Sequence, residues 1–245
     1  MFSKIKRKLS GYFTGPLKDT EPAAAYDMWA LQYDAQPDNL MLALDEELFS
    51  SLIKDVSFEG KVVADVGCGT GRHWQKIFAK APKVLVGYDV SEGMLNKLKA
   101  KYPQSVTHQL TNNRLQGLDN NSCDVIMSTL AIAHIEDIED ALKEWNRVLK
   151  HGADIVITDY HPDNLQKGGD RTFVHEGKLV AVKSYVHTFE RLRAIATQLD
   201  WEVLYFTERA IDESMKHWYE KKNALHVFEK YKGCAIIYGM HLRKK

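Results

Sequence analysis

Three glycines at alternate positions, Gly67, Gly69 and Gly71, lie between an acid, Asp65, and a base, Arg72. They close the apolar run Val62-Val63-Ala64-Asp65-Val66 and open a segment of helical spacing, His73-Trp74-Gln75-Lys76-Ile77-Phe78. Strand, glycine turn and helix N-terminus in that order bring backbone, rather than side chain, to a ligand. Glycine takes positive φ cheaply and has no Cβ to hold a ligand away. A dinucleotide-binding turn would read G-x-G-x-x-G, but Arg72 stands where its third glycine belongs. No Gly-Lys-Ser/Thr closes the turn either, which excludes a phosphate-binding P-loop. An acid two residues before the first glycine suits a ligand carrying positive charge, such as an amino-acid ammonium.

A second acid is placed to bind. Lys83-Val84-Leu85-Val86-Gly87-Tyr88-Asp89 is a short apolar run ending in Asp89. An acid about 20 residues past a glycine turn, at the tip of the next strand, can accept hydrogen bonds from ribose hydroxyls. Ser91-Glu92 then reads as an N-cap with an acid in the first turn, opening a helix with Met94, Leu95 and Leu98 inward.

The motif D-V-G-C-G-T-G after an apolar strand resembles motif I of the class I S-adenosylmethionine-dependent methyltransferases. Two further stretches are similar to that family. Tyr26-Asp27-Met28-Trp29-Ala30-Leu31-Gln32-Tyr33-Asp34 resembles a helical element that precedes motif I in small-molecule methyltransferases. Ser122-Cys123-Asp124-Val125-Ile126-Met127-Ser128-Thr129-Leu130-Ala131-Ile132-Ala133-His134-Ile135 resembles the fourth-strand signature, with features of the ubiquinone/menaquinone enzymes. Cys123 replaces the usual aromatic there, and Ala133 the first histidine. The resemblance spans roughly residues 26–152 by motif and the remainder by element order.

The resemblance implies a Rossmann-like, doubly wound α/β fold with a seven-stranded, mostly parallel sheet whose last strand is antiparallel. It implies S-adenosyl-L-methionine as cofactor and S-adenosyl-L-homocysteine as product. It places Asp65, Gly67, Cys68, Gly69, Gly71 and Arg72 around the cofactor, with Asp89, Val90, Met94 and Leu130. It also brings Tyr26 and Tyr33 toward the methionine carboxylate or the substrate. Aligning backward from Asp124 puts Asn112 and Asn113 where the family has an acid for the adenine amino group. A turn explains an Asn-Asn pair equally well, and core packing explains Met94 and the two tyrosines equally well. The sequence lacks the Asn/Asp-Pro-Pro-aromatic turn of amino-group DNA methyltransferases and the Pro-Cys nucleophile of cytosine C5 enzymes, so a nucleic-acid substrate is not expected.

Elements follow from periodicity. Tyr26, Trp29, Ala30 and Tyr33 share one helix face, and residues 39–54 read as a second amphipathic helix. Residues 105–110 form a third strand, and Ile138, Ala141, Leu142, Trp145, Val148 and Leu149 an apolar stripe. His151-Gly152-Ala153 reads as the turn into a fifth strand, 154–160. Arg171 to Val182, around Glu176-Gly177, reads as a β-hairpin, placed either over the crevice or at an oligomer contact. A helix through Leu199, a sixth strand from Trp201, an aromatic-rich helical insertion and a last strand from Cys234 complete the chain. The expected organisation is a basic segment, 1–20, and one domain, 21–245. Within it lie a helical cap (21–58), a hairpin lid (161–187) and a helical insertion (212–233).

An activated methyl needs an aligned acceptor and, for a phenol, amine or acid, a base for its proton. Among ten histidines, His134 and His161 follow the fourth and fifth strands and are the candidate catalytic residues. Tyr160, Arg171, His175 and His187 are candidate substrate contacts, and Arg171 among histidines hints at an anionic substrate group. The expected function is methyl transfer to an O, N or C atom of a small-molecule acceptor. The alternatives are a membrane-borne quinone or lipid acceptor and a non-catalytic cofactor-binding scaffold.

Composition bounds the rest. With 245 residues, 44% of them hydrophobic, the chain can bury one sizeable core. Zero formal net charge provides no global field for nucleic acid. Three scattered cysteines have no metal-ligand spacing and suit a reducing cytoplasm; no metal is expected. The basic, amphipathic residues 2–18 can reach an anionic membrane surface, which would make a cytoplasmic protein peripheral.

Overall fold

The computed structural model describes residues 19–36 and 38–245; the expected membrane-surface segment, residues 2–18, lies outside them. A short strand β1 (Asp19–Thr20) leads into α1 (Pro22–Trp29), which starts on a proline that needs no amide partner there. Asn39 caps α2 (Leu40–Leu52) through the Leu42 amide. The alternation of β2 (Val62–Val66), α3 (Trp74–Phe78), β3 (Val84–Asp89), α4 (Glu92–Lys101) and β4 (Val106–Gln109) follows. Ser91 caps α4 by accepting from the Met94 amide. Then come β5 (Cys123–Thr129), α5 (Ile138–Val148), β6 (Leu149–Tyr160), α6 (Pro162–Gln166), β7 (Thr172–His175) and β8 (Lys178–Val182). The chain ends with α7 (Phe189–Gln198), β9 (Trp201–Ala210), α8 (Lys216–Lys221), α9 (Leu225–Tyr231) and β10 (Ala235–Lys244).

The main sheet has the order β4-β3-β2-β5-β6-β10-β9. Its first five strands are parallel, and β10 runs antiparallel between β6 and β9. This is the seven-stranded pattern expected from the motifs. Alternate residues serve opposite faces: Ala64, Val66, Val86, Ile126 and Ile155 join Trp145 of α5 and Leu192 of α7 in one core. Val63, Leu85, Val125, Met127 and Val156 join Phe49 of α2, Trp74 of α3 and Leu98 of α4 in the other. Strand order reverses between β2 and β5, so their carboxyl ends open a crevice. A second, three-stranded sheet, β1-β8-β7, pairs the hairpin around Glu176-Gly177 with the start of the described chain.

Two elements differ from expectation. The turn expected at 151–153 is a bulge inside a longer strand: Cys123 pairs with Leu149 and Val125 with Asp154, and Gly152 takes up the excess at φ +76°. The insertion is not one helix but a 3₁₀ turn, Glu213–Met215, and two short helices separated at Asn223, φ +52°. Among the described residues no helix is long and apolar enough to cross a membrane.

One buried carboxylate ties three elements together. Asp45 on α2 bonds Arg72 after the glycine turn, His73 Nε2 at 2.9 Å and Thr158 Oγ1 on β6. Burial alone would raise this carboxyl, but Arg72 and the bonds from His73 and Thr158 outweigh it and hold it well below the usual carboxylate range. Its stabilisation is therefore present above that range and is lost as pH falls through it. Asp45→Ala should destabilise the fold by roughly 3 kcal/mol in urea unfolding, because it strands a buried partner. The exposed Glu139–Lys143 pair serves as control, and Glu139→Ala should barely move the midpoint.

Candidate functional site

All three glycines of the turn after β2 have positive φ, +77°, +51° and +72°. A Cβ on Gly67 would lie 2.3 Å from Ala131 Cβ, so glycine lets this turn press against the one after β5. Around Gly69 an added Cβ would meet nothing within 4 Å, leaving that backbone open. Asp89 organises the turn. Its Oδ2 accepts from the Gly69 amide at 2.8 Å and its Oδ1 from the Ser91 amide at 2.9 Å. Burial pushes the Asp89 carboxyl up to about 6, although the backbone donors pull the other way.

A cavity of about 910 Å³ opens at these strand ends. It brings together Gly67, Gly69, Asp89, Val90 and Met94 with Asn112, Asn113 and Leu130, and with Tyr26, Tyr33 and His134 across the mouth. Leu130 holds φ +52°, a strained conformation for a leucine, where β5 turns into the cavity wall. Asn112 Oδ1 also accepts from the Arg114 amide, and Asn113 Nδ2 donates to Asp140. The Asn-Asn pair is thus both a turn and a cavity wall.

Other residues singled out in the sequence lie elsewhere. Asp65 is buried under the turn, where its Oδ2 accepts from Trp74 Nε1 at 2.7 Å. It does not line the cavity, its Oδ1 has no hydrogen-bond partner among the described residues, and burial pushes it up to about 7. Cys68 points into the core beside Gly87, Gly71 packs against Leu98 and Trp74, and Arg72 is held by Asp45. His161 caps α6, its Nδ1 accepting from the Asp163 amide and its Nε2 donating to Glu208. Its ring is buried edge-on to Phe189 and does not line the cavity. His175 pairs with Lys178 in the hairpin, and His187 Nε2 donates to Ile135 O, so neither lines the cavity.

His134 is built with more care. It ends a 3₁₀ turn, Ile132–His134, steadied by Asp159, whose Oδ2 accepts from the Ala133 amide. His134 Nδ1 lies 2.8 Å from Lys183 O. A carbonyl only accepts, so the proton is on Nδ1 and Nε2 carries a lone pair. Tyr26 donates its hydroxyl proton to that Nε2 at 3.0 Å. Burial, then the positive charge of Arg171, pushes the imidazole down to about 4. The site thus holds a neutral imidazole whose Nε2 lone pair is engaged by the Tyr26 hydroxyl, so a ligand hydroxyl or amine reaches that lone pair by displacing Tyr26.

Arg171, at the base of the hairpin, does not line the cavity but lies directly behind Tyr26 and Tyr33. Its guanidinium is 5.4, 5.2, 5.9 and 5.6 Å from the ring centroids of Tyr26, Trp29, Tyr33 and Tyr160. Tyr185, which follows the hairpin, lines the cavity and donates its amide to Ala133 O. Nothing in the local sequence marks Tyr185, since only the hairpin's return path carries it there. Among the described residues no group of His, Cys, Asp and Glu could hold a metal ion.

Comparison with known proteins agrees with this architecture. Residues 64–157 match the family described as a methyltransferase domain. The ubiquinone/menaquinone biosynthesis C-methyltransferase UbiE of Campylobacter jejuni is 32% identical over 113 residues, 44% of this chain and 47% of that protein. The chain thus spans about half the length of the curated relatives it matches. Geranyl diphosphate C-methyltransferase from Streptomyces coelicolor, solved with S-adenosyl-L-homocysteine, superposes with TM-score 0.63 at 12% identity, over 99% of this chain and 97% of that one. The [4+2]-cyclase SpnF superposes with TM-score 0.64 at 16% identity, over 94% and 98% of the two chains. At such identities these structures share the fold.

The neutral His134 is directly measurable. Its native form binds fewer protons than the unfolded chain between pH 6.5 and about 4, so stability should fall as pH falls through that window. By NMR the His134 ring should titrate near 4, and Arg171→Gln should raise its midpoint. A midpoint at the ordinary histidine value would contradict the buried, carbonyl-bonded imidazole.

Proposed function

We propose, on the premise that the chain carries a methyltransferase domain on the class I S-adenosylmethionine-dependent fold, that it moves a methyl group from S-adenosyl-L-methionine to a small-molecule acceptor. The observation that carries this reading is one cavity joining the open Gly69 backbone, the Asp89 carboxylate and the neutral His134. Its volume of about 910 Å³ suits a nucleoside-sized ligand beside an acceptor. The cofactor, when bound, supplies a methyl activated by its sulfonium and leaves as S-adenosyl-L-homocysteine.

The chain's own residues do the rest. Asp89 has lone pairs left beyond its two amide bonds and accepts from ribose hydroxyls. Met94 and Leu130 give apolar walls, and Asn112 with Asn113 offers amide groups to a base edge. Tyr26, Tyr33 and Tyr185 close the mouth and exclude water. His134 Nε2 receives the proton from an O, N or acidic C–H acceptor as the new bond to the methyl carbon forms. The C. jejuni relative is named for quinone methylation, but its match covers only 44% of this chain, so that acceptor does not carry over to this one.

A second reading is favoured by the SpnF likeness. A fold shared with a protein named a cyclase shows that methyl transfer is not the only use of this scaffold. A cofactor-binding protein without methyl transfer would keep the Asp89 side of the cavity and have no need of the His134 side.

Thermal unfolding with S-adenosyl-L-homocysteine and S-adenosyl-L-methionine tests both readings. A ligand at 100 times its Kd should add about 2.7 kcal/mol of stability. Asp89→Ala should remove most of that gain, and NADH should give none. No response to either adenosyl ligand would overturn the proposal. Binding without turnover of phenols, amines or acids would favour the second reading.

A further inference from the structure

Arg171 is a buried cation without an acid. Its Nη2 donates to Tyr33 Oη at 3.1 Å, while Nε and Nη1 are buried with no hydrogen-bond partner among the described residues. Arg72, the other deeply placed arginine, is paired with Asp45. The nearest acid to Arg171 in charge terms, Asp159, spends its oxygens on the Ala133 and Tyr160 amides. The four surrounding rings offset the positive charge through their faces. Ring faces, however, do not accept the in-plane N–H groups of a guanidinium, and leaving such donors unmet in a buried site is costly. The missing partner is an anionic oxygen.

Position identifies where that oxygen comes from. Two rings of the cage, Tyr26 and Tyr33, are also walls of the cavity, and Tyr26 is hydrogen-bonded to His134. The hairpin carrying Arg171 and the helix α1 carrying Tyr26 meet here through the stacked rings of Trp29 and Phe173, 4.5 Å apart. A slight parting of these elements, the ordinary motion of a lid, exposes the guanidinium to whatever occupies the acceptor end.

We propose that Arg171 anchors an anionic oxygen group on the methyl acceptor, so that the acceptor is a small organic acid or phosphate ester with an apolar, flat body lying among the cage rings. This rests on the methyltransferase reading and narrows its substrate class. An acceptor held this way presents its nucleophilic atom beside Tyr26 and His134, at the cavity side of the cage.

Calorimetric titration of the full chain with benzoate and phenyl phosphate, against neutral benzamide, tests the proposal with and without S-adenosyl-L-homocysteine. At least one anion should bind roughly tenfold or more tighter than benzamide, and Arg171→Gln should remove that preference. Arg171→Lys keeps the charge and should retain part of it. In the wild type the bound anion should also raise the NMR titration midpoint of His134, because it neutralises the charge that helps depress it. Equal binding of anion and neutral probe by wild type would overturn the proposal whether or not the variants fold. So would an Arg171→Gln variant that loses S-adenosyl-L-homocysteine but keeps 5′-methylthioadenosine, since the guanidinium would then serve the carboxylate of the adenosyl ligand. Failure of wild type to bind any adenosyl ligand would sink the methyltransferase reading alone, and the anion arm without that ligand would still decide the role of Arg171.

Discussion

Gly67 and Ala131 approach so closely that a single methyl group on Gly67 would collide with the Ala131 side chain. That contact joins the turns after β2 and β5 at the point where strand order reverses, and residues of both turns line the cavity. Asp89 completes the arrangement by bonding the Gly69 amide on one side and the Ser91 amide on the other. The end of β3, the glycine turn and the start of α4 are therefore tied together by one carboxylate. Strain is accepted on the opposite wall, where Leu130 holds a left-handed backbone to keep β5 short of the cavity.

Buried charge is distributed unevenly around these turns. Asp45 is fully paired and stays ionised, bracing the outer side of the turn. Asp65 and Asp159 are buried with fewer donors, and burial raises both, Asp65 to about 7 and Asp159 to about 6. They serve by orienting neighbours, Trp74 for one and the His134 turn for the other. Among the described residues Asp65 Oδ1 has no hydrogen-bond partner, and Arg171 keeps two unmet donors, Nε and Nη1. A protein interior that satisfies Asp45 so thoroughly leaves the unmet donors of Arg171 behind two tyrosines of the cavity wall.

The hairpin does more than cover. The segment after its return strand supplies Lys183 O, which fixes the tautomer of His134, and Tyr185, which lines the cavity. The carbonyl that holds His134 and a tyrosine of the cavity wall thus lie two residues apart on one segment.

The sequence by itself carried the architecture. Alternating apolar runs, alternate glycines and acids at strand tips are local signals, and each needs only its neighbours to take effect. They account for the seven strands, the antiparallel last strand by resemblance, and the cavity residues Gly67, Gly69, Asp89 and Met94. The bulge at Gly152 and the break at Asn223 were not legible, because a register shift or a left-handed residue depends on what a strand or helix packs against. Residue type also misled where burial decides the role. Asp65 reads as a ligand acid but holds an indole, and His161 reads as a base but caps a helix. Only tertiary structure could place Arg171 among four rings from the cap, the strand end and the turn after α1, or set Lys183 O against His134. Those contacts join residues from 26 to 183, and no spacing along a chain encodes a meeting that only the closed fold creates.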